Sequence, residues 1–187
     1  MVLNKVVLSL VEKKRRLGKA PGLMAKSTST PPIETLPERV KDIRTKAGIT
    51  QAGLAAAAGI DRANIVNIER RRRTNVRLHV LERIAIALGV DVLDLISVRP
   101  VRRSRPVEQP AAARLRENLR RHRKMAKVSQ EALSIGIGRF RTYVGALETK
   151  TCKPTLDDIQ RMADFLGTDV AHLLAPVADP EGQLEND

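Results

Sequence analysis

The reactive groups this chain offers are amides and guanidinium ions rather than nucleophiles. Its three histidines, His79, His122 and His172, have no metal-ligand spacing, and its one cysteine, Cys152, excludes both an intramolecular disulfide and a cysteine zinc site. No glycine-rich phosphate loop and no nucleophile with a paired base is present, so no catalytic residue, metal or cofactor is expected. What recurs is a polar series: Gln51, then Arg62, Ala63, Asn64 and Asn67, then Arg70, Arg71, Arg72 and Arg73. A second series follows, with Gln130, then Arg141, Thr142, Tyr143 and Ala146, then Lys150 and Lys153. Such groups hold anions and hydrogen-bonding edges. A net charge of +13 on 187 residues points to an anionic partner, with nucleic acid ahead of a membrane surface.

The two series sit in a repeated stretch. Ile49–Glu69 returns as Val128–Glu148 at a constant offset of 79, pairing Gln51 with Gln130, Leu54 with Leu133, Gly59 with Gly138 and Glu69 with Glu148. Two copies mean two small modules rather than a solenoid. With aromatic residues at 2% and no tryptophan, the cores must be built from Leu, Ile, Val and Ala, which suits helical bundles. No apolar run approaches the ~20 residues of a membrane span. The apolar stretch Val6–Val11 is too short for a signal sequence and is followed by basic residues, so a cytoplasmic location and no membrane partner are expected.

Taken in order, residues 1–35 read as a basic flexible leader, and Met24 is an alternative start. In 36–97, Pro37 suits a helix first turn, and Val40, Ile43 and Ala47 share one face. Thr50 caps a second helix, Asp61 caps a third, and Gly59 turns between them. Leu78, Leu81, Ile84, Ala85 and Leu88 mark a fourth helix, and Asp91 begins a short fifth. Residues 98–111 are a Pro-rich basic linker able to span about 45 Å at most. Residues 112–175 repeat the pattern: Leu115, Leu119 and Met125 on the first helix, Ser129 as a cap, and Val144 and Leu147 as anchors of the third. Gly53, Gly136 and Gly145 are expected to weaken their helices by about 1 kcal/mol each. Residues 176–187 read as an acidic disordered tail.

The repeated residues resemble the Cro/cI-type, lambda-repressor-like (XRE) helix-turn-helix family. Thr50, Gln51, Leu54, Ala55, Gly59, Ile65, Ile68 and Glu69 carry the pattern, continued by Leu78, Leu81, Ile84, Ala85, Leu88 and Gly89. Ser129, Gln130, Leu133, Gly138, Val144, Leu147 and Glu148 carry it again, followed by Leu156, Ile159, Met162, Ala163, Leu166 and Gly167. The resemblance implies an all-α chain of two tandem five-helix DNA-binding domains. It implies Gln51 and Gln130 on backbone phosphate, basic loops along the phosphates, and structural ion pairs Arg44–Glu69 and Arg123–Glu148. The family often has glycine where Arg71 and Lys150 stand, at some conformational cost here.

A helix-turn-helix lays its second helix in the major groove. On the outward face of that helix, Arg62 and Arg141 can read guanine, Asn64 and Asn67 adenine, and Ala63 and Ala146 a thymine methyl, while Thr142 and Tyr143 can reach bases or phosphate. The expected partner is double-stranded DNA, bound by a transcriptional regulator, a repressor by preference, acting as a covalent pseudo-dimer with recognition helices about 34 Å apart. A homodimer of chains stays open. The alternative is a protein-interaction factor, antiactivator or antitoxin-like, that uses one module to grip a partner protein.

Overall fold

The computed structural model describes residues 32–72, 75–97, 109–149 and 151–177. Among them the chain is all-helical, with two successive five-helix modules and no strand. The first holds α1 (Pro32–Lys46), α2 (Gln51–Ala58), α3 (Arg62–Glu69), α4 (Leu78–Leu88) and α5 (Val92–Ile96). The second holds α6 (Ala111–Met125), α7 (Gln130–Gly136), α8 (Tyr143–Glu148), α9 (Leu156–Leu166) and α10 (Val170–Leu174). Most of the leader, most of the linker and all of the acidic tail beyond residue 177 lie outside the described residues.

Local chemistry explains most helix ends. The Thr50 hydroxyl accepts from the Gly53 N–H, and Ser129 accepts from Ala132, satisfying donors that the first helical turn leaves orphaned. Asp91 and Thr155 begin reciprocal capping boxes. Asp61 occupies the N-cap position of α3 but makes no side-chain cap, contrary to expectation. One further expectation fails. Helix α1 starts at Pro32, so Pro37 lies inside it rather than in its first turn, and the helix takes in the end of the segment read as leader. Met125 is 73% exposed, because α6 ends there and the last turn projects past the core.

The two modules share one contiguous apolar core, which includes Leu36, Leu54, Ile65 and Leu81 from the first and Leu115, Leu133, Val144 and Ile159 from the second. Their contact is reciprocal. Arg77 and Thr155 face each other in an antiparallel bridge, with Leu78 N–H donating to the Pro154 carbonyl (2.9 Å) and Leu156 N–H to the Val76 carbonyl (2.8 Å). The first loop is one residue longer than the second, so Val76, Arg77 and Leu78 are the counterparts of Pro154, Thr155 and Leu156. Each module therefore offers the same backbone segment to the other, as in an isologous two-fold interface. Likewise α1 packs on α9, and α4 packs on α6.

Side chains lock this contact unequally. Arg114 is 2% exposed and donates to both Asp91 carboxylate oxygens (3.3 and 2.8 Å) and to the Leu174 carbonyl (2.9 Å). It thus ties the start of α5 to the end of α10. Glu82 of α4 accepts the Ala111 N–H at 2.7 Å, capping α6 across the interface. At the position equivalent to Arg114 stands Thr35, whose hydroxyl donates to the Ile96 carbonyl of its own module (2.9 Å).

Candidate nucleic-acid interface

Each recognition helix is clamped by the same three side chains. Arg44 donates from Nε and Nη2 to the two carboxylate oxygens of Glu69 (2.6 and 3.0 Å), and from Nη1 to the Ile49 carbonyl (2.7 Å). Arg123 does the same with Glu148 (2.9 and 3.2 Å) and the Val128 carbonyl (2.9 Å), and Arg120 stands 3.8 Å from Glu148. Burial pushes both glutamates up, but hydrogen bonds from the arginine and glutamine beside each outweigh it, holding the carboxyls below their ordinary range. The end of α3 or α8 is thereby fixed to the first helix of its module.

The glutamines belong to this clamp. Gln51 Nε2 donates to Glu69 (2.8 Å) and Gln130 Nε2 to Glu148 (2.5 Å). Each bond uses one of the two N–H groups on the amide nitrogen and holds the glutamine at the start of its helix, against a nearly buried carboxylate. The first-turn backbone N–H groups of α2 and α7 stand at the same helix starts.

The reading faces differ. In the first module Arg62 and Ala63 are exposed, and Asn64 and Asn67 are half-buried, while Ile65 and Ile68 point into the core. In the second, the helix begins only at Tyr143, so Arg141 and Thr142 lie in the preceding turn, both exposed. Arg141 stands 3.4 Å from Glu131, and Ala146 is half-buried. Tyr143 is not on the outward face. It is buried, and its hydroxyl donates to Asp158 at 2.8 Å. Burial, then the hydrogen bond to that carboxylate, raise the phenol above its ordinary range. Asp158 also accepts from Arg139 (2.8 Å) and Thr155, and these bonds overcome the cost of its burial and hold it low. The residues equivalent to Tyr143 and Asp158 in the first module are Asn64 and Val80, which line a cavity of about 250 Å³ beside the inter-module bridge.

The cations are distributed unevenly as well. Arg70, Arg71 and Arg72 are exposed beyond α3, with Arg71 in the left-handed region (φ 57°) and paired with Glu38 at 2.5 Å. Lys153 is exposed; Arg73 and Lys150 lie outside the described residues. In the second module the positive charge moves to α6, where Arg120, Arg121, Lys124 and the following Lys127 are exposed. The residue the sequence reading overlooked is Phe140, 63% exposed in the turn before α8. The signal was available: it is one of two phenylalanines in the chain, and it stands between Arg139 and Arg141.

Among the described residues there is no cluster of three metal-ligating side chains and no helix long and apolar enough to cross a membrane. A pair of clamped second helices, each preceded by a Gly-turned helix, defines a tandem helix-turn-helix protein. Residues 40–95 match a family described as helix-turn-helix, and residues 114–175 match one described as helix-turn-helix domain. The chain is also 41% identical over 71 residues to a Neisseria hypothetical transcription factor of Neisseria meningitidis serogroup B (strain ATCC BAA-335 / MC58), covering 38% of this chain and 67% of that protein. No solved structure gives a significant match. The chain belongs to the Cro/cI-like (XRE-type) helix-turn-helix family, in a tandem arrangement, and is a DNA-binding protein of transcription regulation.

Proposed function

We propose that this protein is a sequence-specific regulator, acting as a repressor, that reads two unlike half-sites as a pseudo-dimer within one chain. The observation that carries the reading is the reciprocal Val76–Leu78 and Pro154–Leu156 contact, which lies between the two recognition-helix loops. Relatives of this geometry use two-fold symmetry to address two half-sites one helical turn apart. Here the symmetry is within the chain and the side chains break it. Arg62, Ala63, Asn64 and Asn67 face one half-site; Arg141, Thr142 and Ala146 face the other. Arg70–Arg73, Lys150 and Lys153 supply phosphate contacts, with the N-termini of α2 and α7.

Selection of bound duplexes from random DNA, followed by footprinting and a stoichiometric titration, tests this. One chain should protect one non-palindromic operator, with affinity falling steeply as salt rises. Two chains on a strict palindrome would overturn the pseudo-dimer. Absence of binding at low salt would overturn the DNA reading and leave a protein partner as the target.

A further inference from the structure

Phe140 is a large apolar side chain held in water by a rigid support. Its ring meets Tyr143 edge to face, with centroids 5.6 Å apart and planes at 86°. Tyr143 is anchored in turn by Asp158, and Arg139 is fixed from both sides, paired with Asp158 at 2.7 Å and lying 5.6 Å from the Tyr143 ring centre. The residue before Phe140 and the ring beneath it are therefore both locked, so little freedom remains for binding to remove.

Its place in the fold points to a partner. It lies in the turn that delivers the chain into α8, and the N-terminal end of a recognition helix is where base edges are met. Arg141, 70% exposed along its side chain, stands next to it and offers charge to an adjacent phosphate. A phenyl ring has no donor or acceptor with which to read a base. The apolar group that the major groove presents is the C5 methyl of thymine. The equivalent residue in the first module is Asp61, an exposed acid that has no such chemistry.

We infer that Phe140 is a specificity-determining residue: its exposed ring packs on a thymine methyl in the half-site read by the second module, a contact that Asp61 cannot make at the equivalent position of the first. This rests on the second module reading DNA. The Tyr143–Asp158 pair then serves as the mount of that ring, which accounts for a tyrosine withdrawn from the face where the helical pattern placed it.

The test uses the full chain and a selected operator duplex in which each thymine is replaced in turn by uracil, removing only the methyl. Uracil at one position in the second half-site should weaken binding roughly fourfold, the value of one buried methyl. Phe140→Ala should lose a similar factor on the thymine duplex and become indifferent to uracil there. Phe140→Leu should keep part of the discrimination. Because the side chain is exposed apart from its edge on Tyr143, unfolding midpoints of both variants should fall only slightly, and binding is compared well below them. A parent protein indifferent to uracil throughout that half-site overturns the proposal, as does a Phe140→Ala variant that still discriminates or that loses affinity only through lost stability. If the second half-site is neither protected nor conserved among selected duplexes, the second module does not read DNA and the parent reading fails first.

Discussion

The two modules hold the same frame and differ in what fills it. Arg44, Gln51 and Glu69 superpose in kind on Arg123, Gln130 and Glu148, partner for partner. Around that frame the substitutions come in compensating pairs. Where the first module has Ala57 and Ala87, the second has Gly136 and Phe165, and a Cβ at Gly136 collides with the Phe165 ring. The glycine expected only to weaken α7 thus makes room for an aromatic that packs against the core. Where the first has Asn64 and Val80, the second has the Tyr143–Asp158 pair. The clamp that positions a recognition helix is therefore held constant while the reading face is free to change.

The largest effect tests the constant part. Glu148→Ala leaves Arg123 half-satisfied beside a nearly buried site and should cost about 3 kcal/mol, since breaking a buried pair costs roughly 3–5 kcal/mol. Glu69→Ala should cost a similar amount. Urea unfolding at neutral pH measures both, and a loss under 1 kcal/mol in either module would show that the frames are not equivalent. Next comes the variable part. Replacing Arg62 and Asn67 with Ala should relax base preference in one half-site by about 1–3 kcal/mol per lost bidentate contact. Replacing Arg141 and Thr142 should do less, because both stand outside the helix and Arg141 is already beside Glu131. Competition against half-site variants ranks them, and the reverse order overturns the ranking.

Smaller still is Tyr143→Phe, which removes one donor from Asp158 and should cost about 1.5 kcal/mol, the low end for hydrogen bonds to charged groups, because Arg139 and Thr155 still serve the carboxylate. The same unfolding assay reads it. The weakest lever is acid. Glu69, Glu148 and Asp158 are all held below their ordinary values of 4.5, 4.5 and 3.8, so the unfolded chain takes up these protons first as pH falls. Their contribution is complete above about pH 5 and is lost as pH drops through the lowered native values. Two of the three lie in the second module, so Asp158→Asn should flatten the lower end of the stability profile between pH 5 and 3. An unchanged profile would remove Asp158 from the account.

Much of the fold was legible because its determinants are local. The Thr50 and Ser129 caps, the left-handed turns at Gly59 and Gly138 and the apolar spacing of α4 and α9 need only neighbouring residues to be read. The left-handed Lys127, opposite Gly48 in the other copy, was hidden because lysine carries no turn signal. Tyr143 was misplaced because helical spacing alone turns it outward, and the carboxylate that draws it inward sits fifteen residues on, in α9. The bonds of Gln51 and Gln130 to Glu69 and Glu148 were hidden because those acceptors arrive from the far end of another helix. The inter-module bridge leaves no trace in either copy, since a backbone hydrogen bond between equivalent segments does not depend on which side chains they carry.

That bridge has a consequence for how such a protein answers to its own abundance. Two separate chains must find each other before they can occupy two half-sites, and that encounter costs several kcal/mol of translational and rotational freedom. Occupancy then rises with a higher power of protein level. When the two-fold contact is closed within one polypeptide, dilution cannot dissolve it. If one chain fills one operator, as proposed, occupancy follows the first power of copy number, so halving the dose of the gene would halve binding to an unsaturated site rather than quarter it.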